Sequence, residues 1–312
     1  MTEGPVTFEV SLPAELVGKL DGLPLAIELA AARLNIMSLT EVAERLDERF
    51  SLLRSRGRDG QALQGALDWS WDLLEPWAKA ALSQVSLFHG GFSLTAAEAV
   101  VSPGEYADQP AMFDILGELA DNSLVRRDQS EDGNVRYALL ESIRAYSAGK
   151  LGSEGAVEQG LSGAVAERET KLRHAKHFAQ YGRTRYLRSL DSFDSGERWT
   201  ELFQELDNLV AAIGYGNNES APRCCMAALK VLGMKGPVSL GVDIATQVLQ
   251  MPDLPRRLEM QLELERSKCL RISGRMSEAR AVVRDQPTLE ADAETEEVPK
   301  PGLAEEPVEA EV

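Results

Sequence analysis

Cysteine is scarce in this sequence, and its placement excludes two kinds of chemistry. The three cysteines are Cys224, Cys225 and Cys269; two are adjacent, and no Cys-x-x-Cys pair exists. That spacing builds neither a disulfide framework nor a thiolate zinc site, and it suits a reducing compartment. Aromatic residues make up only 6% of the 312 residues while Ala, Leu and Glu are abundant, which favours helix over sheet. No apolar run reaches the length of about 18 residues that a membrane-spanning helix needs. The start, Met1-Thr2-Glu3-Gly4-Pro5, lacks the basic and apolar stretches of a secretory signal. A cytoplasmic protein without a membrane partner is the expectation. Positive charge is also short, with 33 Lys and Arg against 50 Asp and Glu and a net charge of −17. Such a chain repels phosphate backbones at long range, so no nucleic-acid partner is expected. A phosphate-cradling GxxxxGK[ST] loop is missing as well. Gly18-Lys19 and Gly149-Lys150 have Pro13 and Arg144 at the first-glycine position, and neither lysine precedes Ser or Thr.

What is present reads as a mainly α chain of two or three domains. Residues 1–55 hold three predicted helices. The first runs from Pro13 to Leu20. The second runs from Pro24 to Leu34 and is apolar almost all round, so most of its circumference must be covered. The third opens on the capping box Ser38-Leu39-Thr40-Glu41 and reaches Phe50. The polar stretch Arg54 to Gly60 marks a boundary. Residues 56–151 then give helices from Gln61, from Pro76 to Phe88, from Ser93 to Val101 and from Ala111 to Asn122. SLVRRD and VRYALL flank Asp132-Gly133, a strand-turn-strand signal, and a helix from Glu141 to Leu151 closes the unit. Helices followed by a two-stranded wing are the order of a winged-helix domain.

The glycine-rich stretch Gly149 to Gly163 reads as a flexible joint. Residues 164–285 read as paired, TPR-like helical hairpins. Their predicted helices run over Glu167–Tyr186, Glu197–Ile213, Cys224–Leu232, Gly241–Leu249, Pro255–Ser273 and Met276–Arg284. Residues 286–312 carry nine acids, one Lys and four prolines and no aromatic residue, a composition expected to be disordered.

Several of these segments carry a family resemblance. Leu20-Asp21-Gly22-Leu23-Pro24-Leu25-Ala26-Ile27-Glu28-Leu29-Ala30-Ala31-Ala32-Arg33-Leu34 resembles the GLPLA motif of STAND (NB-ARC-type) ATPases. This is the group of plant resistance proteins, apoptotic protease-activating factors and many bacterial regulators. Leu67-Asp68-Trp69-Ser70-Trp71-Asp72-Leu73-Leu74 resembles the start of their winged helix. Leu87-Phe88-His89-Gly90-Gly91-Phe92-Ser93-Leu94 and Asp121-Asn122-Ser123-Leu124-Val125 are similar to its middle, and the stretch Arg136 to Tyr146 resembles its end. The resemblance implies a helical subdomain beside a nucleotide, with Gly22 and Pro24 on the adenine side. It also implies a Met-His-Asp sensor triplet, whose positions Leu139-Leu140-Glu141 occupy here, and leucine cannot donate a hydrogen bond to phosphate. The nucleotide-binding core itself is not in the sequence.

Other candidates have plainer readings. His174 and His177 sit three apart on a helix and could share a metal, yet no third ligand is near and Lys and Arg flank them. Arg168, Lys171, Arg173, Lys176, Arg183, Arg185 and Arg188 read as a basic solvated face, and Trp69, Trp71 and Trp77 as core. The candidate reading helix, Pro110 to Asn122, has Asp114, Glu118 and Asp121 and no Lys or Arg. The expectation is therefore a non-catalytic signalling or regulatory protein, with no catalytic residues. It would bind protein partners through its helical C-terminal region. ATP or ADP would bind only if a separate chain supplied a phosphate-loop domain. The alternative is an ATP/ADP-binding transcriptional regulator with a DNA-binding winged helix.

Overall fold

The computed structural model describes residues 17, 24–45, 61–129 and 135–284. The expected helix from Pro13, Gly22, the boundary at Arg54 to Gly60, the turn at Asp132-Gly133 and the acidic stretch 286–312 lie outside them. Helix α1 spans Pro24–Ala32 and runs into a 3-10 turn over Arg33–Asn35. The capping box forms as read: the Ser38 backbone N donates to Glu41 Oε2 at 2.8 Å and the Glu41 N to Ser38 Oγ at 3.3 Å. It opens α2, residues 39–45.

Next come α3 (Gln61–Asp72), α4 (Pro76–Val85), strand β1 (Phe92–Ser93), α5 (Leu94–Val100) and α6 (Met112–Asp121). Strands β2 (Arg126–Gln129) and β3 (Val135–Ala138) and helix α7 (Glu141–Gly152) complete this part. Pro76 starts α4 because its missing N–H costs nothing in a first turn. Ser93 caps α5 by accepting from the Ala96 N at 3.1 Å. The sheet order is β1-β3-β2, all antiparallel, with Phe92 opposite Tyr137 and Arg127 opposite Tyr137 on the other side. Strand β1 was not read from the sequence, because two residues carry no alternation. Trp69 and Trp71 are buried as expected, and Trp77 packs edge-on against Tyr106.

Eight further helices follow: α8 (Ala164–Phe178), α9 (Thr184–Ser189), α10 (Gly196–Gln204), α11 (Leu206–Tyr215), α12 (Ser220–Lys235), α13 (Val238–Val248), α14 (Arg256–Ile272) and α15 (Met276–Arg284). Successive helices from α11 to α15 pack on one another, with α12 at the centre against α8, α11, α13 and α14. The protein is mostly helical with one small sheet, as the sequence indicated.

Two long helices expected from the sequence are broken. The run 167–186 stops at Phe178, turns through a 3-10 segment Ala179–Gly182 and restarts at Thr184. Gly182 shows why: a Cβ there would fall 1.8 Å from the Arg223 carbonyl oxygen of α12. The run 197–213 breaks at Glu205, between α10 and α11. The glycine-rich stretch also differs from a bare joint. Residues 149–152 finish α7, and the turns after them are closed by the Gly163 N donating to the Leu151 O at 2.7 Å.

Arg33 ties α1 to the winged helix. It is one of the largest fully buried side chains among the described residues. Its Nη1 donates to Asn122 Oδ1 at the end of α6, and its Nη2 to the Ser70 carbonyl at 3.5 Å. Burial lowers the pKa of the guanidinium, and Glu118 offsets part of that shift. Replacing Arg33 by Ala should cost about 2–3 kcal/mol, because it leaves Asn122 Oδ1 and the Ser70 carbonyl without their donor and empties a buried volume, measured by urea unfolding. A loss under about 0.5 kcal/mol, the scale of a surface change, would show that α1 is not held this way.

Candidate functional site

Two surfaces of the winged helix could carry function. The first is the outer face of α6, the helix that lies where a DNA-reading helix would. Ile115, Leu116 and Leu119 turn inward and are buried. Phe113, Asp114 and Asp121 face out, with Phe113 56% exposed. Arg126 and Arg127 of β2 are exposed beside them. Between α1, α6 and β2 runs an open groove of about 620 Å³, lined by Glu28, Phe113, Gly117, Asp121, Arg126 and Arg127 among others. Two arginines thus stand among three acids, Glu28, Asp121 and Asp128, and α6 offers no Lys, Arg, Asn or Gln for base edges. Pro24 is exposed at the start of α1.

The second surface is covered. The segment His89-Gly90-Gly91 and strand β3 press against the start of α11. The His89 backbone N donates to Asn208 Oδ1 at 2.7 Å. Asn208 Nδ2 donates to the Gly91 carbonyl at 2.8 Å and to Glu205 Oε2 at 2.7 Å. Glu205 Oε1 accepts from Arg136 Nη1 of β3 at 2.5 Å. Glu205 and Asn208 are buried, so the break between α10 and α11 presents a carboxylate and an amide into the winged helix. Both glycines are needed. Gly90 and Gly91 have φ of 70° and 92°, and a Cβ on Gly90 would sit 2.7 Å from Asp207 Oδ2. The latch is not legible in the sequence, since Gly91 and His89 lie 117 or more positions from Asn208 along the chain.

Around the latch sit all three histidines of the chain. His174 is buried against Phe88 (centroids 5.2 Å apart), Phe178 (4.6 Å) and Tyr215 (5.3 Å). It shares no group of three metal-ligating side chains among the described residues. Burial pulls its pKa down to about 3, with the neighbouring His177 adding to the shift. His177 is lowered by burial, against the pull of Glu205. His89, whose Nε2 lies 3.3 Å from the Tyr215 hydroxyl, is lowered by burial and by Arg144, against Glu141 and Asp207. The expected basic solvated face also needs correction at one residue. Arg173 is drawn inward, its Nε donating to the Val100 carbonyl at 2.7 Å and its Nη2 to Gln84 Oε1 at 2.8 Å. It thereby pins α8 to α4 and α5.

The comparisons with known proteins agree with this geometry. Residues 74–152 match the winged helix-turn-helix domain family. Over this stretch the chain is similar to that family, and α4 to α7 with the β2–β3 wing have its order of elements. A protein of Mycobacterium tuberculosis (strain ATCC 25618 / H37Rv), named provisionally as an HTH-type transcriptional regulator, is 35% identical over 205 residues. The match covers 64% of this chain and 22% of that protein, and a Mycobacterium bovis protein of the same description matches equally. An uncharacterized M. tuberculosis protein is 34% identical over 170 residues, 53% of this chain and 40% of its own length. The chain therefore spans about a fifth to two fifths of these relatives. No solved structure matches. The relatives' names favour the transcriptional-regulator alternative over a signalling protein that acts by protein contacts alone. They also weigh against the expectation that nucleic acid is no partner. No helix among the described residues is long and apolar enough to cross a membrane.

The histidine cluster gives a test by pH. In the folded protein all three are held below the ordinary imidazole value of 6.5. The unfolded chain therefore takes up protons first as pH falls, and stability present above pH 6.5 is lost towards pH 3. For one such group the slope reaches about 1.4 kcal/mol per pH unit. The His174→Leu variant should show a shallower acid slope of unfolding free energy than the wild type. Equal slopes between pH 6.5 and pH 4 would mean that His174 takes up its proton in the folded state.

Proposed function

We propose that this chain is a regulatory, non-enzymatic part of a transcriptional regulator, and that it works through protein contacts of its helical half. The winged helix acts as a docked module whose position is set by the latch at Glu205 and Asn208. The relatives named as HTH-type transcriptional regulators support the regulatory reading. The observation that carries the mode of action is the outward face of α6, where Phe113, Asp114, Gly117 and Asp121 stand and no base-reading donor does. The STAND-like segments support an origin beside a nucleotide domain. In this reading Pro24 and Gly22 meet adenine only where a phosphate-loop domain is brought beside them, and residues 1–312 alone bind neither ATP nor ADP.

A second reading, DNA binding by the winged helix, has observations of its own. The relatives carry HTH-type names, and Arg126 and Arg127 are exposed on the strand that leads into the wing. Phosphate contacts alone would make such binding weak and steeply salt-dependent.

Fluorescence anisotropy with labelled duplex DNA at low salt separates the two. The first reading expects no sub-micromolar binding to random duplex or to the gene's own upstream region. Salt-sensitive sub-micromolar binding that disappears in an Arg126→Ala/Arg127→Ala variant would establish the second reading and remove the first. Calorimetric titration with ATP and ADP should show no micromolar affinity.

A further inference from the structure

The last helical hairpin, α14 and α15, has a charge opposite to that of the rest of the protein. Residues 256–284 hold eight Lys and Arg against four Glu, in a chain whose net charge is −17. Most of those glutamates are spoken for. Glu259 pairs with Arg256, Glu265 with Lys230 and Lys268, and Glu278 with Arg275. Arg271 and Arg280 are exposed and make no ion pair among the described residues. The same end of the hairpin is apolar. Ile272 is 60% exposed and Met276 50%, and every residue from 271 to 278 is exposed. Met234, 62% exposed, is in the last turn of α12, next to Gly233, where an added methyl would lie 3.7 Å from Ile272 Cδ1. An uncovered apolar patch of this kind, with Arg271 and Arg280 exposed at its edge and Glu278 paired to Arg275, is the usual mark of a contact surface.

The sequence that continues from α15 has the complementary chemistry. Residues 285–312 contain ten Asp and Glu and a single Lys, with Leu289, Val298, Leu303 and Val308 spaced among the acids. Being tethered at Arg284, it meets the hairpin at an effective concentration on the order of millimolar, so weak contacts suffice. We propose that residues 285–312 dock in cis on the α14–α15 end. Their acids face Arg271 and Arg280, and their apolar residues cover Ile272, Met276 and Met234. The contact is electrostatic in range and apolar at its centre, and a competing acidic partner segment would displace it.

Hydrogen exchange of the full chain, read by mass spectrometry at about 20 mM and about 500 mM salt, tests this, since the screening length falls about fivefold between them. Exchange in 276–284 and in 285–312 should rise about threefold or more at the higher salt, the scale of one or two exposed ion pairs. Exchange in α12 serves as the folding control and should stay constant. The Arg271→Glu/Arg280→Glu variant should show the raised exchange already at low salt. A variant of the tail alone, Glu305→Gln/Glu306→Gln/Glu309→Gln/Glu311→Gln, should do the same while leaving the hairpin sequence intact. Combining Arg271→Glu/Arg280→Glu with Lys at those four tail positions should restore slow exchange. Exchange indifferent to salt and to both variants would overturn the proposal. So would protection that grows with protein concentration, which would place a second copy on the patch.

Discussion

A buried carboxylate and a buried amide set the geometry on which the rest depends. Glu205 and Asn208 have no water to solvate them, so their hydrogen bonds must be made within the protein. Besides the bond they make to each other, their partners lie on the winged helix: Arg136 on β3, the Gly91 carbonyl before β1, and the His89 amide. Removing any one partner would leave a polar group buried and unpaired, which costs far more than the bond contributes when intact. The turn at Gly90-Gly91, the break between α10 and α11 and the pairing of β1 with β3 are therefore one constraint seen from three elements. The aromatic cluster of Phe88, Phe92, His174 and Phe178 fills the space behind it.

The constraint also bears on function. A winged helix that reads DNA needs a free recognition helix with basic or amide side chains, and needs freedom to approach a duplex. Here the strand edge and the turn before β1 are committed to the helical half. The outward face of α6 instead shows an exposed phenylalanine between carboxylates, with two arginines across the groove. Arg33 adds a second fixed joint, so the helix α1, the winged helix and α11 are linked in series through buried polar groups rather than through apolar packing alone.

Local signals in the sequence carried the local structure. The Ser38–Glu41 capping box, the proline start of α4 and the Ser93 cap of α5 are each decided within four residues, and all three formed as read. The acidic character of α6 was visible for the same reason. What was not legible depends on distant partners. Helical periodicity runs unbroken through Gly182 and Glu205, and only the approach of α12 at the first and the pull of Arg136 at the second break it. Arg173 looked like one more exposed cation, and the carbonyl of Val100 that draws it inward lies 73 positions away. The histidines raised the question of a metal, and the structure gives them aromatic neighbours.

The central claim is that the winged helix and the helical half are held as one body by the Glu205–Asn208 latch. Thermal unfolding followed by tryptophan fluorescence, in variants that keep only Trp69 and Trp71 in the winged-helix half or only Trp199 in the helical half, addresses it directly beside scanning calorimetry. The account calls for one cooperative transition in the wild type, seen by all the tryptophans together, and for two separated transitions in a Glu205→Gln/Asn208→Ala variant. Two independent transitions already present in the wild type, at midpoints that the variant leaves unmoved, would contradict it.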